Sequence, residues 1–125
     1  MEWLFDSPVI QLLEQITPSH VDGIDEDYVQ TMQHFIADTH QENETHLATV
    51  GTYRLDMFLA SEYAFMKLRT YVDGRLDPDS NEGQLYMMQN YWQEFTDSAI
   101  ALMPALSDVV IQDTKTWQTQ MQDLV

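Results

Sequence analysis

No cysteine occurs among the 125 residues, which excludes both a disulfide framework and a thiolate metal site. Basic residues are almost as scarce. Five Lys and Arg stand against 21 Asp and Glu, a net charge of −16. The first 53 residues hold ten of the acids and not one Lys or Arg, whereas four of the five cations (Arg54, Lys67, Arg69 and Arg75) fall within the next 22. Such a field repels nucleic acid and anionic membrane and draws in basic surfaces. Glycine and proline number four each and lie far apart, too few punctuation points for many short strands but enough for a few long helices. No apolar run approaches the roughly 20 residues needed to cross a bilayer. The opening stretch MEWLFDSPVIQLLEQI has no basic residue and is interrupted by Asp6 and Glu14, so neither a signal peptide nor an anchor is expected there. The expected location is the cytoplasm, of the protein's own cell or of an infected host.

What the chain does have is helical patterning. The whole of residues 1–125 is expected to form a single all-α domain, an antiparallel bundle of four to five helices. Ser7-Pro8 reads as an N-cap followed by proline at the first helical position, opening a helix to about Ile16. Asp25 caps a second helix, with Glu26 and Asp27 in the first turn where the dipole favours anions; it runs to about Val50, and Gly51 marks either its end or a tolerated glycine within a longer helix. A third helix spans about Thr52 to Val72 and is apolar nearly all round, which places it at the centre of the bundle or inside a partner. Asp79 or Ser80 caps a fourth, whose apolar seam steps through Leu85, Met88, Trp92, Phe95, Ala99 and Leu102. Pro104 interrupts it, and a fifth seam follows at Leu106, Val110, Trp117, Met121 and Leu124.

Chemical motifs are harder to find. His34, His40 and His46 lie six residues apart, a rotation of about 240° per step on a helix, so they point in three directions and cannot share one ion. His46 falls on the apolar side, His40 on its flank and His34 on the back. The Glu-x-x-His pattern of di-iron bundles is absent, as is HExxH. Asp77, Asp79 and Asn81 imitate the start of a calcium loop, but Glu82 occupies its glycine position and Met88 its final glutamate, so a helix-capping loop is the expected role. Glu62 and Arg69 share one stripe of the third helix among aromatics. They lie too far apart to pair with each other and are expected to meet residues of other helices, fixing register. Of the eight methionines, Met57 and Met87 are expected at an adaptable surface and the rest in the core.

These features lead to a non-catalytic acidic binding or inhibitor protein that engages a basic protein surface and needs no cofactor or metal. Asp22, Asp25, Glu26, Asp27, Asp38, Glu42 and Glu44 are the expected partner-binding carboxylates. In the sharpest form they imitate nucleic-acid phosphates, the general character of small acidic phage proteins that block restriction or CRISPR machinery. The partner would then be a nucleic-acid-binding enzyme rather than nucleic acid or membrane, and self-association through the third helix is a further way to bury its apolar surface. Two other classes fit parts of the pattern. A toxin-immunity protein or cytosolic secretion chaperone would bind through an apolar groove. A metal-dependent helical enzyme would use Glu42 and His46 with Glu62 or Glu94.

Overall fold

The computed structural model describes residues 7–20 and 22–102. Among these residues there are five helices and no strand, packed as a helical bundle. They are α1 (Pro8–Glu14), α2 (Glu26–Val50), α3 (Leu55–Val72), α4 (Asn81–Asn90) and α5 (Trp92–Leu102). None is long and apolar enough to cross a membrane.

Helix α3 packs against each of the other four, which explains an apolar character that extends around most of its circumference. It divides the interior in two. On one side Leu13 of α1 and Tyr28 and Met32 of α2 meet Ala64 and Tyr71 of α3. On the other, Leu59 and Met66 of α3 meet Met87, Tyr91, Trp92 and Phe95. Each fully buried Leu or Met in these clusters contributes about 1.5–3 kcal/mol by leaving water. Met57 and Met87, expected at the surface, are both buried. The correction follows from α3 being covered on opposite sides, by α1 and α2 and by α4 and α5, so that positions on either flank find a neighbour.

Helices α2 and α3 form an antiparallel hairpin. Tyr28 at the start of α2 meets Tyr71 near the end of α3 edge-on, with ring centroids 4.9 Å apart. At the other end, Gly51 takes a left-handed conformation (φ 92°), and its N–H closes on the Leu47 carbonyl at 2.9 Å, as a glycine helix terminus does. The next helix begins three residues later than the expected Thr52. The buried Asn43 side chain donates to the Arg54 carbonyl (3.0 Å) and accepts from the Arg54 N–H (2.7 Å). His46 Nδ1 meets the Thr52 carbonyl at 2.7 Å, which makes that nitrogen the donor. These side chains hold the segment extended across the hairpin until Leu55.

The fourth expected helix is two helices. The chain departs from helical geometry at Tyr91 (φ −126°, ψ −14°) with no proline or glycine present. The break allows the adjacent residues Tyr91 and Trp92 to be buried together with Met87 and Phe95, which the narrow seam of one straight helix does not permit. The fifth helix expected after Pro104 lies outside the described residues.

Candidate functional site

Two features stand out: the outer face of α2, and a pocket where α2, α3 and α5 meet. The face is made by helical periodicity. Tyr28, Met32, Thr39 and Asn43 turn inward, so at about 100° per residue Glu26, Asp27, Asp38 and Glu44 fall on the outer side and Glu42 on its flank. All five are exposed, as is Asp22 in the preceding loop. They spread over about 160° of the helix circumference and about 27 Å of its length. No Lys or Arg interrupts them along the whole helix. The nearby cations pair with other carboxylates, Arg54 with Asp56 at 2.7 Å, Lys67 with Asp79 at 2.8 Å and Arg69 with Glu94 at 3.4 Å, although Arg54 also feels the charge of Glu42.

Two of the expected carboxylates have internal roles. Asp25 is the N-cap of α2, accepting from the Tyr28 N–H at 3.3 Å and from the Ser19 hydroxyl and N–H at 2.6 and 2.8 Å. Those bonds favour the anion, the Ser19 hydroxyl foremost, and lower its pKa from the ordinary 3.8 to about 2. A depressed acid stabilises the fold above its unfolded pKa and loses that contribution as pH falls from 3.8 through 2. Ser19→Ala is expected to move the Asp25 titration part of the way back to 3.8, read by carboxyl carbon NMR. A titration still centred near 2 would assign the shift to other groups. Glu44 accepts from the Tyr53 hydroxyl at 2.9 Å and lies 3.6 Å from His40 Nε2.

The histidines occupy three environments. His34 is exposed, the His40 side chain is 68% exposed, and His46 is half-buried on the Thr52 carbonyl. Among the described residues no three His, Asp or Glu side chains converge closely enough to hold a metal ion. The calcium-like loop is a capping structure: the Asp77 carboxylate accepts from the Asp79 N–H, and Ser80 caps α4 through the Gly83 N–H at 3.0 Å.

The pocket has a volume of about 370 Å³. Glu62, Phe65 and Arg69 come from one stripe of α3, His40 from α2, and Glu94 and Phe95 from α5. Tyr91, at the break between α4 and α5, completes it. As expected from their spacing, Glu62 and Arg69 do not pair with each other. The Arg69 guanidinium reaches Glu94 and stacks over the Tyr91 ring, 3.9 Å from its centroid and 5.2 Å from that of Phe65. Glu62 is half-buried and has no hydrogen-bond or ion-pair partner among the described residues. Burial, then the negative charge of Glu94, raises its pKa above the ordinary 4.5, with His40 opposing.

A carboxyl group raised in this way weakens the fold when ionised. The penalty is absent below pH 4.5 and grows as pH rises through the folded-state value. Glu62→Gln is therefore expected to raise the melting temperature at neutral pH and to leave it unchanged near pH 4. A lower melting temperature at neutral pH would show that the carboxylate is satisfied where it sits. Glu62 and Arg69 are visible in the sequence as polar residues on an apolar stripe, and Glu94 only as a candidate ligand of the enzyme reading. His40, Phe65 and Tyr91 were not singled out as site residues, and the only signal was the placing of Phe65 between Glu62 and Arg69 on the same stripe.

Comparison of the chain with protein-family models, with curated proteins and with solved structures gives no match in any of the three.

Proposed function

We propose that this is a non-catalytic binding protein of the cytoplasm that engages a basic protein surface through the outer face of α2. One observation carries the reading. A 25-residue helix exposes five carboxylates with no Lys or Arg among them, while Arg54, Lys67 and Arg69 are held by Asp56, Asp79 and Glu94 on other parts of the bundle. Apart from Glu44, which Tyr53 and His40 engage, that surface charge is left for a partner to neutralise, and complementary charge accelerates and orients such encounters.

The sharper form is imitation of a nucleic acid, as an anti-restriction or anti-CRISPR inhibitor would use. It requires a higher density. Five carboxylates along about 27 Å give about one per 5 Å, against one phosphate per roughly 1.7 Å of duplex axis. Helix α2 alone reaches about a third of that value, so it supports charge attraction more strongly than phosphate imitation.

The test compares the proteins captured from host lysate by the native chain and by a variant carrying Glu26→Gln, Asp27→Asn, Asp38→Asn and Glu42→Gln. Basic proteins retained by the native chain at low salt, released at high salt and missed by the variant support the reading, because exposed charge pairs are screened by salt. Equal capture by both chains would overturn it. Capture that persists at high salt would favour the immunity-protein or chaperone reading, whose supporting observation is the aromatic pocket with Phe65 exposed at its edge.

A further inference from the structure

The charges of the pocket do not balance. Among the described residues that line it, two carboxylates, Glu62 and Glu94, share one fixed cation, Arg69, and that cation lies against Glu94 at 3.4 Å. Glu62 is left half-buried beside a like charge, an arrangement that costs stability until a counter-ion arrives. Around it the walls are aromatic. Phe65 is 46% exposed at the edge, and Phe95 lies in the wall contributed by α5. These surfaces suit the apolar stem of a long side chain with a charged end.

We propose that this pocket receives one arginine side chain presented by the basic protein partner. That the partner is a basic protein rests on the reading above; the preference of the pocket for a guanidinium is a separate property and is tested separately. The volume of about 370 Å³ lies at the small end for ligand sites, roughly 300–1,000 Å³, and suits a single extended side chain. One added positive charge would complete two carboxylate–guanidinium pairs. Arg69 supplies the internal precedent, since its guanidinium already stacks on Tyr91 and approaches Phe65. Arginine is preferred to lysine because its planar group can meet a carboxylate through two parallel N–H donors while stacking on a ring.

The experiment is a titration of the isotope-labelled full chain, followed by NMR, with N-acetyl-arginine amide. The same titration is run with the lysine analogue and with the uncharged citrulline analogue of nearly identical shape. The expected result is saturable shifts at Glu62, Phe65 and Tyr91, with the arginine compound bound at least about fivefold more tightly than either analogue. Glu62→Gln, which is expected to fold at least as stably as the native chain, should remove that preference. Equal binding of the citrulline compound, an unchanged preference in Glu62→Gln, or no saturable shift would overturn the pocket.

The two proposals fail differently. Shifts confined to Glu26, Asp38 and Glu42 would overturn the pocket and leave the acidic face standing. Arginine bound in the pocket, with protein capture unaffected by neutralising α2, would leave the pocket standing and remove the acidic face.

Discussion

Asp79→Ala should be among the most damaging single substitutions in this protein, lowering stability by about 3–5 kcal/mol. The Lys67 side chain is only 2% exposed, enclosed in the central helix, and its Nζ donates to Asp79 Oδ1 at 2.8 Å. The ammonium also lies over the Tyr63 ring, 5.0 Å from its centroid. Removing Asp79 leaves a buried cation without a counter-ion, the costly way to break such a pair. For a chain of this length the loss corresponds to a melting temperature lower by about 12–20 °C. The reciprocal change is expected to be mild. Asp79 is a third exposed, so in Lys67→Met water can solvate the carboxylate while the methionine fills most of the space. That variant should lose about 1 kcal/mol. Denaturant unfolding of both single variants and of the double variant gives the coupling directly. Equal losses for the two single changes would show that the pair contributes only as packing.

Gly83→Ala is the second large effect, and its sign runs against helix propensity. Gly83 is the third residue of α4, where alanine would ordinarily stabilise a helix by about 1 kcal/mol. Here a Cβ would drive into the Asp77 carbonyl and stand 2.9 Å from Pro78 Cα. Both are backbone atoms, which cannot step aside as a flexible side chain would. Pro78 is itself buried, and its carbonyl accepts from Gln84 Nε2 at 2.7 Å. The substitution is expected to cost about 2–3 kcal/mol, a fall in melting temperature of about 8–12 °C. Because the displaced segment carries Asp79, combining Gly83→Ala with Asp79→Ala should cost less than the two losses added together. A melting temperature equal to or above that of the native chain would mean that the 77–80 loop is not seated against α4.

Both predictions concern the loop that joins α3 to α4, and both depend on contacts far apart in sequence. Lys67 counts in the sequence only as one of the four cations of residues 54–75, and its partner lies twelve residues away across a turn. Glu62 and Arg69 were legible as a polar stripe. That Arg69 meets Glu94 and Tyr91 follows only from the docking of α5 on α3, a relation carried by no local pattern. The break at Tyr91 has no local signal for the same reason: no proline or glycine marks it, and it arises from burying two adjacent aromatic rings together. By contrast, the termini of α2 were readable to within a residue. Asp25 and Gly51 act on their own neighbours through a side-chain oxygen and a left-handed backbone, and such local chemistry is written in the residues themselves.

By itself, the sequence determined the all-helical class, the limits of the long acidic helix and the excess of negative charge, because capping, periodicity and charge act over a few residues or by simple sum. Only the tertiary structure decided that Arg54, Lys67 and Arg69 pair with Asp56, Asp79 and Glu94, and that Glu62 lies in an aromatic pocket with no ion-pair partner among the described residues. Pairing and burial are properties of helices brought together, and each depends on packing angles that one-dimensional patterns do not carry.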